Sequence, residues 1–194
     1  MEYVYHMVPK KMAGQQLIPL NQLKESEPEL YTEAIQKYND HPERLKLLVK
    51  RIPQLECLWN DVLHFLPIHP SHVYEGLRSL GIKVKTDLLF YEIPVDRLSG
   101  NQTVIYHYRK EHYKGPAAPI DPIEIEVFDP VDNKIPNRLP EETFDYFQEE
   151  HAKGNQFGMF PYIPHILSLG AVDISGVRIV NWSKSSLQEG EETQ

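Results

Sequence analysis

Leu88-Leu89-Phe90-Tyr91-Glu92-Ile93 and Thr103-Val104-Ile105-Tyr106-His107-Tyr108, with Ser99-Gly100-Asn101 between them, are the residues whose reading decides the fold. Both runs are rich in aromatic and β-branched side chains, which suit a pleated, half-buried surface, and the Ser-Gly-Asn cluster has turn chemistry. They predict an antiparallel pair of strands joined by a longish turn. Working outward, Tyr3 to Val8 alternates and stops at Pro9, which predicts a first strand. Glu124 to Phe128 alternates too, and Val177 to Trp182 predicts a last strand.

Helical signals lie between and beside these runs. Ser26 with Glu29 has capping-box spacing and Pro28 suits a first turn, so a helix is expected to about Tyr38 through Leu30, Ala34 and Ile35. Asp40 and Glu43 repeat the spacing and predict a helix from His41 to Lys50. Leu45, Leu48 and Val49 would face inward, with Arg44, Lys46, Lys50 and Arg51 outward. Pro70-Ser71 opens a further helix carrying Val73, Leu77 and Leu80 on one face, and Gly81 follows as a left-handed stop. A last helix, from about Pro140 to Glu150, sets Phe144 and Phe147 on one side. One strand, then helices, then mostly strands argues for an α+β domain with a largely antiparallel sheet.

The 194 residues suffice for one well-buried core, so a single domain over 1–182 is expected, followed by a flexible acidic tail over 183–194. Tails of that composition also occur as export signals of some bacterial secreted effectors. A hydrophobic share of 41% supplies core material despite 16 prolines, so wholesale disorder is not expected. The formal charge of −8 works against non-specific nucleic-acid binding, because a negative field repels phosphate backbones. Cys57 is the lone cysteine, which excludes an internal disulfide and a cysteine-rich zinc site and fits a reducing, cytoplasmic compartment. No basic, apolar leader opens the chain, and no run approaches the roughly 18 apolar residues of a membrane span.

Chemistry concentrates in Leu58 to Tyr74, where His64, His69 and His72 share seventeen positions with Asn60, Asp61, Trp59 and Tyr74. The histidine spacing lacks the i, i+4 pair of a helical zinc site and no well-placed third ligand is evident, so no metal is expected. The plainer reading makes Trp59, Val62, Phe65 and Ile68 core, with the histidines bonded to backbone carbonyls in a proline-rich turn. Gly158-Met159-Phe160-Pro161-Tyr162-Ile163-Pro164-His165 is a second, stiff concentration, open between lining a pocket and sealing the edge of a core. Neither a glycine-flanked nucleophile nor a glycine-rich phosphate loop occurs among the 10 glycines.

Tyr5-His6 on an opening strand, the loop Pro9 to Pro19, and Asp61 to Pro70 leading into Tyr74 together resemble the layout of the ADP-ribosyltransferase superfamily, nearest its DNA-modifying toxin branch. In that family a strand-borne histidine holds the NAD ribose, an aromatic ring stacks on the nicotinamide, and a late carboxylate organises the reacting ribose. The resemblance implies His6 as the NAD anchor, with Asp61 to Pro70 forming the second strand and its loop. Asp61 and His64 would join His6 and Tyr74 in cofactor binding, Tyr74 as the stacking ring. His69 stands where the toxin branch shows an arginine, and Glu150 is the carboxylate nearest the position of the late glutamate, which makes these two the catalytic candidates. The partners so implied are a small nucleotide, NAD as substrate, and a protein or nucleic-acid acceptor of the transferred group.

Two other function classes are compatible with the residues. One is a non-enzymatic binding or interaction protein on the same fold. The other is a small hydrolase built on His64, His69 and Asp61.

Overall fold

Tyr5 and Leu66 exchange both of their backbone hydrogen bonds, at 2.9 and 2.8 Å, and that single rung ties two antiparallel sheets together. The computed structural model describes residues 2–38, 42–115, 118–129 and 137–184. In chain order its strands are β1 (Tyr3–Met7), β2 (Gln16–Leu17), β3 (Arg51–Ile52), β4 (Cys57–Leu58), β5 (Val62–Phe65), β6 (Leu89–Pro94), β7 (Gln102–Tyr106), β8 (Ile125–Val127), β9 (His165–Leu169), β10 (Val172–Asp173) and β11 (Arg178–Asn181). The helices are α1 (Leu20–Ser26), α2 (Pro28–Ile35), α3 (Pro42–Leu45), α4 (Ser71–Ser79) and α5 (Glu141–Ala152). The first sheet has the order β1-β6-β11 and the second β5-β9-β7-β8, while β2-β10 and β3-β4 are short ladders. The chain is α+β, and every strand pair is antiparallel.

Period-two alternation sorts the side chains of these sheets onto two faces. The inner face of the first sheet, with Val4 and Ile93, packs on Leu63, Phe65, Ile105 and Ile166 of the second. Its outer face, with Tyr5, Phe90 and Val180, packs on Val73 and Leu77 of α4, Phe147 of α5 and Trp182. A third cluster covers the outer face of the second sheet, where Val62, Val104, Tyr106, Ile125 and Leu167 meet Ile52 and Ile120. Phe147 and Trp182 are fully buried, and burial of side chains of this size stabilises by about 1.5–3 kcal/mol each.

Helix α4 forms as its sequence dictates. Val73 and Leu77 are buried, Gly81 takes φ +75°, and its N–H bonds to Arg78 O while Ile82 N–H bonds to Leu77 O. This pair of reversed bonds closes the last turn, and it needs a residue that tolerates the left-handed region.

Three expectations are corrected. Leu88–Ile93 and Thr103–Tyr108 do form β6 and β7, yet they do not pair with each other. β6 joins β1 and β11, and β7 joins β8 and β9, because the 3-10 turn over Val95–Leu98 carries the chain from one sheet to the other. Ser26 does not cap a helix. It ends α1, a helix the spacing did not announce, and its hydroxyl donates to Gln22 O one turn back. The span expected as a helix to Lys50 breaks into α3 and a 3-10 turn over Lys46–Val49, with His41 outside the described residues. There Leu45 and Val49 are 48% and 73% exposed, whereas Lys50 is buried with its ammonium 5.0 Å from the centre of the Trp59 ring. Burial pulls its pKa down to about 8.

Trp182 closes the packed region, its indole N–H donating to Lys85 O at 2.9 Å. Ser183 and Lys184 bond back to Asn181, and residues 185–194 of the expected tail lie outside the described residues. Among the described residues no helix is long and apolar enough to cross a membrane.

Candidate functional site

His6, Tyr91 and Ile179 are cross-strand neighbours on β1, β6 and β11, so their side chains form one rung on the inner face of the first sheet. The rung runs from the interior to solvent. At one end the His6 ring meets Phe65 edge-on, with centroids 5.6 Å apart. In the middle Tyr91 is half-buried, its hydroxyl 4.0 Å from the Met12 sulfur. At the far end Ile179 is 51% exposed, although it lies on the face that elsewhere forms the core. The His6 Nδ1 lies 2.8 Å from Met7 O; since a carbonyl only accepts, Nδ1 carries the proton and Nε2 is the acceptor of the neutral ring.

The other residues singled out by sequence are dispersed around this rung. Tyr74 sits on α4 with its ring 5.4 Å from Trp182, on the outer side of the first sheet, and therefore on the opposite face from His6. Glu150 lies near the end of α5, which packs on that same outer side, and its carboxylate accepts from Lys153 Nζ and Asn155 Nδ2, both at 2.8 Å. Those hydrogen bonds hold its pKa below the usual range. His6, Tyr74 and Glu150 thus do not converge. Asp61 ends the 3-10 turn over Trp59–Asp61 just before β5 and accepts from Leu58 N at 2.6 Å, closing that turn, and from Asn21 Nδ2 of α1 at 2.7 Å. His64 points to the outer face of the second sheet, where Nε2 lies 2.9 Å from Trp59 O and the two rings are 4.3 Å apart.

His69 has a different environment. It is buried at the entry to α4, with Nδ1 2.8 Å from Ser71 Oγ and accepting the Ser71 N–H at 3.3 Å, so it caps the helix start. Its ring stands edge-on to Tyr5, 5.2 Å away, and Nε2 is buried with no hydrogen-bond partner among the described residues. Burial lowers its pKa, against the opposing pull of Glu92. Tyr5 hydroxyl donates to Glu92 Oε1 at 3.2 Å, and Arg178 grips Glu92 through Nε at 2.8 Å and Nη2 at 3.1 Å. Tyr5, Glu92 and Arg178 are a second rung, one register step from the first and facing the other way. His64 and His69 lie against different sheets, so with Asp61 they do not form one catalytic cluster. Among the described residues no group of three or more His, Cys, Asp or Glu could hold a metal ion.

The Gly158–His165 segment seals the edge of a core. Tyr162 and Tyr108 adopt φ of +61° and +56°, conformations that cost non-glycine residues about 1–3 kcal/mol, and their rings meet at 5.6 Å. Tyr113 packs on both, at 5.2 and 5.8 Å, so the rings fill one another's space. His165 behind them donates from Nδ1 to Ile163 O at 2.7 Å, and burial drives its pKa to about 4.

Tyr91, Ile179 and Met12 were not singled out by sequence, and Phe65 was read as core alone. The available signal was the β-rich run Leu88–Ile93, but which strand would lie beside β1 is a long-range fact. No family model, no curated protein and no solved structure matches the chain.

Proposed function

We propose that this chain is an ADP-ribosyltransferase-like protein that binds NAD on the inner face of its first sheet, with His6 as the ribose-holding residue. One observation carries the reading: the rung His6–Tyr91–Ile179 is half-buried at His6 and Tyr91 and exposed at Ile179, on a face otherwise closed as core. Small-molecule sites combine a mostly apolar lining with a few convergent polar groups. The Nε2 acceptor of His6 suits a ribose hydroxyl, which donates, and its ring is held by Phe65 and by the Met7 carbonyl.

The carboxylate of the resemblance does not reach this face. Glu150 is engaged with Lys153 and Asn155 on the other side of the sheet, so this proposal commits to nucleotide binding and assigns no residue to the transfer step. The test is thermal unfolding with and without millimolar NAD. A ligand that binds only the folded state raises the melting temperature. The rise is expected for the wild-type protein and expected to vanish in His6→Ala; no rise in the wild type sinks the reading.

A further inference from the structure

The rung of the proposed nucleotide site carries an imidazole, a phenol and an aliphatic side chain, and no fixed positive charge. A dinucleotide brings a diphosphate, and a chain of formal charge −8 repels it unless cations stand at the site. The segment after β1 carries two lysines, Lys10 and Lys11. Val8 N–H bonds to Leu89 O at 2.9 Å, Gln15 O accepts from Ile174 N at 2.9 Å, and between these anchors Met12 packs on the inter-sheet core beside Tyr91. Tied at both ends and in the middle, this loop borders the rung, and Lys10-Lys11 precedes Met12 directly. Their Cα atoms lie at most about 7.6 Å from that of Met12, two trans peptide steps.

We propose that Lys10 and Lys11 are the phosphate-recognising half of the site, so that it takes phosphate-bearing nucleotides and rejects nucleosides. This rests on the nucleotide reading above. Lys10 is exposed and makes no ion pair with another described residue. Lys11 is held at 2.5 Å by Glu33 of α2, with both side chains more than half exposed. An exposed pair of this kind contributes little to stability, so a diphosphate with two charges can displace the single carboxylate.

The experiment titrates NAD, adenosine and inorganic phosphate separately into the wild-type protein, the Lys10→Gln/Lys11→Gln variant and His6→Ala. NAD affinity is expected to fall about tenfold or more in the double variant, with a shallower dependence on salt. Adenosine and phosphate alone should each bind the wild type at least about tenfold more weakly than NAD. If NAD binds with full His6 dependence, yet the double variant and adenosine both match wild-type NAD affinity, the lysine inference is overturned and the nucleotide reading stands. If the wild type binds no NAD, the reading falls and takes this inference with it. Circular dichroism of each variant confirms that the fold is retained.

Discussion

The His6 ring meets Phe65 edge-on at 5.6 Å, and this contact joins the first strand of one sheet to the edge strand of the other at the point where they part. A histidine so held has one orientation, which is what a residue receiving a ligand hydroxyl requires. Phe65→Leu keeps the site apolar but removes the ring edge. It is expected to cost roughly 1 kcal/mol of stability and to weaken NAD binding several-fold. Urea unfolding with parallel NAD titration checks both, and undiminished affinity would show that Phe65 does not orient His6.

Glu150→Gln and Tyr74→Phe should leave NAD affinity within about twofold, well under the 1.4 kcal/mol that a tenfold change represents. Both residues lie on the outer side of the first sheet, away from His6. A tenfold loss in either variant would place the ligand on that side instead.

The rung Tyr5–Glu92–Arg178 is a stability element. Arg178→Met leaves a mostly buried carboxylate without its cation and is expected to destabilise by about 1–3 kcal/mol. Tyr5→Phe removes one donor at 3.2 Å but leaves Glu92 paired with Arg178, so it should cost less than Arg178→Met. The order of the two midpoints in urea decides this, and a reversal would contradict it.

His165 predicts an acid limb. Its folded pKa is about 4 and its unfolded value about 6.5, so below pH 6.5 the unfolded chain binds the extra proton. Its contribution is present above pH 6.5 and is lost as pH falls from 6.5 towards 4. His165→Asn retains a donor for Ile163 O but does not titrate, and should flatten the stability profile across that window. An unchanged slope would exclude His165 as its source.

How much of this was legible in the sequence differs between local and long-range features. The α4 helix and its Gly81 stop are fixed within a dozen residues, and the structure has them where Val73, Leu77 and Gly81 place them. The strands β1 and β8 were readable from alternation, and β6, β7 and β11 as strand-forming runs, within a residue or two at the ends. Their partners were not, because the pairing of β6 with β1 and β11 spans more than eighty residues. The site suffered from the same limit. His6 was visible as a histidine on a strand, but Tyr91 and Ile179 become its neighbours only through that pairing. Conversely, the density of His64, His69, Asp61 and Tyr74 along the chain does not survive folding, because an edge strand and the start of a helix send them to different faces. β9 went unread because Pro161 and Pro164 made its approach look like loop alone.

The most direct test of the central claim is isothermal titration of NAD into the wild-type protein with His6→Ala run beside it. The account predicts micromolar binding by the wild type that is lost in a folded His6→Ala variant. No heat from the wild type at millimolar NAD, or equal binding by both proteins, would contradict it.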